Sequence, residues 1–302
     1  FNSSIREDLS ITHGQFGTIY ASATLLSSFL LIWIGKKIDD TNIFKFSLFV
    51  IILLSFACYF FSTIKIIPLL FIGIFFLRLS GQGLMSHTAT TTVARYFEKT
   101  RGKALSITWL GLSAAEFILP VLMVFLLTIT NWRNIWIAIS ILVLILLPII
   151  SFTLIKKLKL DTREDSKNYN EEININIKQW TRSEVIRDYR FYIVTLNMLS
   201  MPSIATGVFV YQSFIVSSKN WGPFIMAQSF MVYSILSVIT LSVSGFLIDK
   251  YTSRKLLIYM NVPLFISTIV LFLFNSSFSS FIFLGLIGIT NGFANILGSS
   301  TW

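Results

Sequence analysis

Apolar residues in this chain gather into long runs separated by short polar breaks, a pattern unlike the half-buried faces of a soluble domain. A bilayer core takes about 20 apolar residues of helix. By that measure the pattern predicts nine spans, at 12–35, 44–63, 66–94, 104–130, 132–155, 190–217, 224–248, 256–275 and 279–301. Gly35-Lys36-Lys37 closes the first, Pro68 opens the third, and Asn131-Trp132-Arg133 parts the fourth from the fifth. The stretch 156–189 is rich in Lys, Asp, Glu and Asn and holds no run of span length. It is expected to form a cytoplasmic central loop between two helical bundles, 1–155 and 190–302. The predicted class is an all-α polytopic membrane protein.

Composition agrees. Of 302 residues 54% are hydrophobic and 13% charged, with mean hydropathy +0.75, more apolar surface than one core can hide. The net charge of +10 would suit nucleic acid, but the basic residues lie between spans and not along one solvated face, so no such partner is expected. Nineteen Lys and Arg fall in one set of loops and four in the other, with Arg78 inside a span. The positive-inside rule places the first set in the cytoplasm. A multi-pass location in a bacterial-type inner (plasma) membrane is expected, with lipid as a partner. The chain starts at Phe1 on the outer side and stops at Trp302 within an apolar run, and is expected to be a fragment.

One cysteine, Cys58, and two histidines, His13 and His87, leave no disulfide framework and no metal set. There is no phosphate-cradling glycine loop and no Ser/His/Asp set. No catalytic residue, metal or cofactor is therefore expected, and the chain is not read as an enzyme.

Gly35-Lys36-Lys37-Ile38-Asp39-Asp40 closes the first span on the cytoplasmic side. Gly245-Phe246-Leu247-Ile248-Asp249-Lys250 closes the seventh on the same side, 210 residues later. Equal placement in two halves is a parallel repeat, which implies two related bundles.

These residues resemble the loop signature of the major facilitator superfamily, Gly-x-x-x-Asp-(Arg/Lys)-x-Gly-Arg-(Arg/Lys), which occurs once in each half. The second copy keeps Gly245, Asp249, Lys250, Arg254 and Lys255, with one extra residue before the basic pair. The first keeps Gly35 and Asp39, but has Asp40 where a base is usual and Asn42 where a glycine is usual. A helix-four signature is matched by Arg78-Leu79-Ser80-Gly81-Gln82-Gly83. The nine spans would then be family helices two to ten, with helices one, eleven and twelve absent. Within the superfamily the chain is similar to the monocarboxylate porters and the oxalate/formate-antiporter-like group. That likeness is carried by Arg95-Tyr96-Phe97 with Arg101-Gly102, and by Arg187-Asp188-Tyr189-Arg190-Phe191, leading to Thr206-Gly207 and Gln212. The resemblance implies alternating access, with Gly35, Asp39, Arg95, Arg101, Gly245, Asp249, Lys250 and Arg254 in gating.

Charge inside a span is costly and marks function. At 1.5 Å per residue, Arg78 lies roughly 16 Å and Glu116 roughly 21 Å from the outer ends of their helices, near the midplane. Arg78 is a candidate anion clamp, since a guanidinium can grip a carboxylate through two parallel hydrogen bonds. Glu116 is the candidate for proton coupling. The alternative reading is that the two merely pair with one another or cap backbone carbonyls. Weaker candidates for substrate contact are Gln82, Asn197, Thr206, Gln212, Tyr233, Asn291 and Asn295, all of which can also serve as interhelical glue. Gly81, Gly83, Gly111 and Gly292 are expected to permit close helix approach, and His87 to be a packing or interfacial group. Thr88 and Thr90 to Thr92, Thr91 included, are expected to bond back to their own helix. The function expected is a secondary transporter of a small organic anion, of monocarboxylate or dicarboxylate type, working with protons or a counter-anion. A solute-binding receptor that signals without transport is the alternative.

Overall fold

The computed structural model describes residues 1–96, 101–153, 182–222, 224–251 and 253–300. Side chains at 94, 95, 101–103, 105, 106, 182, 245, 246, 248–251, 253, 254, 296 and 298–300 are outside that description. All regular structure among the described residues is helical. Nine helical stretches are long and apolar enough to cross a membrane. They are His13–Asp39, Ile43–Ser62, Ile67–Val93, Ile107–Ile129, Trp132–Ser151, Tyr189–Val210, Ile225–Ser244, Lys255–Leu273 and Ser277–Asn295.

Local chemistry sets the helix starts. A short helix α1, Asn2–Leu9, ends at Ser10 in the left-handed conformation (φ 52°). Helix α2, His13–Lys36, opens with a capping box: Gln15 N–H donates to Thr12 Oγ1 and Thr12 N–H donates to Gln15 Oε1. It runs into a 3-10 turn, Lys37–Asp39. Asn42 caps α3, Ile43–Ser62, by accepting from Lys45 N–H at 3.1 Å. Helix α4, Ile67–Leu77, carries Pro68 in its first turn, where proline is tolerated. It continues into a π-helical segment, Arg78–Met85, and then α5, Ser86–Tyr96. Helix α6 is Arg101–Ile129, and α7, Trp132–Ser151, is capped by Asn131. The second half holds α8 (Arg182–Arg187), α9 (Tyr189–Val210), α10 (Gln212–Ser218) and α11 (Ile225–Tyr251). It ends with α12 (Ser253–Tyr259), α13 (Val262–Leu273) and α14 (Ser277–Ser300).

The described residues divide into two compact units. One lies within Phe1–Thr108 and Leu126–Ile175, the other within Trp109–Phe125 and Asn176–Trp302. The middle of α6, which carries Glu116, is counted with the second.

In the first unit α3 packs on α7 through paired serines. Ser55 Oγ donates to Ser140 O at 3.0 Å and Ser140 Oγ donates to Ser55 O at 2.7 Å, both buried. Ile38, Phe46, Val50, Leu79 and Leu84 form one core cluster. At one end of the unit Arg133 pairs with Asp8, donates to Ile64 O at 2.9 Å and lies over the Trp132 ring. The Trp132 indole N–H donates to the same Asp8 carboxylate at 2.8 Å.

In the second unit α11 and α14 are the principal pair. Small residues line the seam: Ser229, Ser237 and Ser244 on α11, and Ser280, Gly285, Gly288 and Gly292 on α14. Ser229 Oγ donates to Ser280 Oγ at 2.9 Å. A Cβ on Gly292 would stand 2.6 Å from Ser237 O, so this glycine does permit close approach. Gly83 is also crowded, by Leu31. Gly111 corrects the expectation, for nothing lies within 4 Å of its Cβ position and it brings no helix closer.

Candidate functional site

Arg78 begins the π-helical segment inside the third span. A π turn closes i→i+5, leaves the regular ladder, and is frequent at functional sites. The guanidinium carbon sits 5.0 Å from the centre of the Tyr20 ring on α2. Among the described residues Arg78 has no carboxylate partner. Its charge is stabilised by the ring face, which leaves its in-plane N–H donors available. Gln82, in the same segment, is exposed. Thr88, Thr90 and Thr92 bond back to Leu84, Ser86 and Thr88 carbonyls, whereas Thr91 makes no such bond among the described residues.

Glu116 lies in the second unit, where the fully buried Tyr233 of α11 is the electrostatic neighbour of its carboxyl. One carboxyl oxygen, Oε2, is buried with no hydrogen-bond partner among the described residues. Such an atom must be neutral, solvated, or waiting for a partner. Two ring contacts fix Tyr233, with Phe209 at 6.0 Å and Phe230 at 5.9 Å. Gly288 packs directly on its backbone. Arg78 and Glu116 thus each have a partner within their own unit.

The remaining candidates divide by their bonds. Asn197 Nδ2 donates to Leu257 O at 2.9 Å, and Asn261 Nδ2 donates to Asn197 O and Oδ1. These bonds bridge α9 to the helix break at Met260–Asn261 between α12 and α13. Asn291 Nδ2 donates to Ser237 Oγ at 3.0 Å, across the seam of α14 with α11. Thr206, Gln212 and Asn295 are half-buried and make no side-chain hydrogen bond among the described residues. Of the gating residues, Gly35 is buried and Asp39 exposed. The side chains of Arg95, Arg101, Asp249, Lys250 and Arg254, and the surroundings of Gly245, lie outside the described residues.

Three features were not singled out from the sequence. Tyr20 reads there as one more aromatic residue in an apolar run. The π segment has no propensity signal beyond the two glycines, Gly81 and Gly83. The pairing of Tyr233 with Glu116 brings together residues far apart in sequence. His87 proves to be more than packing: its Nε2 lies 3.2 Å from the Gly35 carbonyl.

No curated protein matches the chain. The family model described as Major Facilitator Superfamily matches residues 1–302, its full length. With nine apolar spans, an all-helical fold and isolated charges within the spans, the chain belongs to the Major Facilitator Superfamily and is a multi-pass membrane transporter of the major facilitator type.

Proposed function

We propose that this transporter carries a small organic anion of monocarboxylate or dicarboxylate type by alternating access, coupled to protons or to a counter-anion. The observation that carries the reading is Arg78: a guanidinium within a span, seated on Tyr20, with no acidic partner among the described residues. An intramembrane cation without a fixed counter-charge favours a mobile one. The planar fork suits a carboxylate better than a point charge does. Glu116 is the coupling group, with Tyr233 as its neighbour and its buried Oε2 open to a proton. The signature loops at Gly35–Asp39 and Gly245–Lys250 gate the two access states.

Uptake of a panel of labelled monocarboxylates and dicarboxylates into proteoliposomes tests this. Arg78→Lys is expected to remove most uptake while membrane expression survives, and normal uptake by that variant overturns the anion clamp. Glu116→Gln is expected to keep exchange and to lose accumulation driven by a pH gradient.

A further inference from the structure

The first signature loop lacks the base and the glycine that its family pattern has at positions 40 and 42, yet its turn is firmly seated. Ile38, in the 3-10 turn Lys37–Asp39, is 1% exposed and packs with Phe46, Val50, Leu79 and Leu84. Just before it, the Gly35 carbonyl lies in the last turn of α2, where it accepts a backbone N–H at the helix end and has a second lone pair for a side-chain donor. His87, on α5 immediately after the π segment, places Nε2 at 3.2 Å from that carbonyl. A carbonyl only accepts, so Nε2 carries the proton, and the bond forms with neutral and charged imidazole alike. A Cβ added at Gly35 would meet the ring at 3.4 Å from Cδ2 and 3.5 Å from Nε2, which is ordinary contact. The ring therefore covers the glycine without a steric demand for it.

The second copy differs. At the repeat spacing of 210 residues, His87 corresponds to Leu297, which is fully buried with Leu257 and Met260 and offers no donor. We propose that His87 is the positioning residue of the first signature loop. Its Nε2–H holds the Gly35 carbonyl, ties α5 to the cytoplasmic end of α2, and does in the first repeat what the loop's missing base leaves undone. The role of that loop as a gate rests on the reading above, but the tie itself does not.

Hydrogen–deuterium exchange on the purified full chain, without any substrate, tests the tie. In His87→Leu, which installs the second repeat's residue, amides of 37–43 are expected to exchange about fivefold faster, the factor that a bond worth about 1 kcal/mol supplies. His87→Gln keeps a side-chain N–H donor at similar reach and is expected to restore the slow rate. Gly35→Ala, which leaves the bond in place, is expected to match the wild type. Amides within α3 should be unchanged in all three. Wild-type exchange in His87→Leu, or equal acceleration in His87→Gln, overturns the proposal. Acceleration that spreads through α3 also overturns it, because the ring would then serve general packing.

Discussion

Gly288 offers the sharpest test of the packing that holds Tyr233 against Glu116. A methyl group at this position on α14 would stand 2.2 Å from the Tyr233 carbonyl oxygen and 2.9 Å from its carbonyl carbon. These are backbone atoms, which cannot swing aside as the end of a side chain can. Ordinary contact needs the helices to separate by roughly 1 Å, and close-packed interiors resist such a shift. Overpacking of this kind costs about 1–3 kcal/mol, and Gly288→Ala belongs at the upper end. Gly292→Ala should follow, its Cβ falling 2.6 Å from Ser237 O and 2.9 Å from Leu241 N. Gly285→Ala should cost less, since its nearest obstacle is the movable Leu236 Cδ1 at 2.9 Å. Gly111→Ala and Gly207→Ala meet nothing within 4 Å. They should be neutral or gain up to about 1 kcal/mol, the helix-propensity difference between Gly and Ala. Thermal unfolding in detergent of the five variants reads the series. If Gly288→Ala melts with Gly111→Ala, the seam between α11 and α14 is not where the close approach lies, and the placement of Tyr233 fails with it.

Ser55→Ala and Ser140→Ala each break the reciprocal hydroxyl–carbonyl pair between α3 and α7. Each should cost about 0.5–1.5 kcal/mol, and the double variant little more than either, because the two residues act as one unit; full additivity in thermal melts would refute that. Asp8 is held below the usual carboxylate range, first by the Trp132 indole and then by Arg133. Its contribution is therefore present at neutral pH and is lost as pH falls through that lowered value. The gap in melting temperature between wild type and Asp8→Asn should be flat above about pH 5 and close on the acid side of about pH 4; a gap that persists in acid would show another cause. Ser10 and Asn220 both have positive φ, 52° and 54°, and Asn tolerates that region better than Ser. Ser10→Gly should thus stabilise the protein by up to about 1 kcal/mol, more than Asn220→Gly does, as differential melting of the two variants would show.

The spans were legible because their signal is a length of apolar residues, which no tertiary detail can alter. Arg78 and Glu116 were legible for the converse reason: charge in an apolar run stands out at any register. Their partners were hidden. Nothing in the local pattern distinguishes Tyr20 from the other aromatic residues of its helix, and Tyr233 meets Glu116 only through folding. The π segment altered one inference directly. A regular α-helical count sets His87, nine residues after Arg78, on the opposite helix face, and a stretch of i→i+5 turns between them breaks that count. Asn197 and Asn291 show the limit of reading polar residues in spans. Each is engaged with a neighbouring helix, a use that composition cannot tell from substrate contact.

The repeat reaches further than its signature loops. At the spacing of 210 residues, Ser10 corresponds to Asn220, and each donates its N–H to the residue three back, Glu7 and Ser217, both at 3.2 Å. The next pair repeats the pattern, with Ile11 N–H to Arg6 O and Trp221 N–H to Val216 O, both at 3.0 Å. The same left-handed helix end therefore leads into α2 and into α11, though neither copy uses the glycine that normally signals it. The correspondence continues outside the helices. Ile64 and Phe274, again 210 apart, each offer a carbonyl to a cation, Arg133 at 2.9 Å and Lys219 at 3.1 Å. An indole N–H supports each cluster, Trp132 to Asp8 and Trp221 to the Asn275 carbonyl. The donors come from different places in the two halves, so the acceptor geometry repeats while the residues that satisfy it do not. Only the first cluster contains a carboxylate, and only it should respond to acid. By the same spacing Arg78 corresponds to Gly288. One copy carries a charge where the other carries the glycine that packs on the Tyr233 backbone, so a shared backbone plan serves different chemistry in each half.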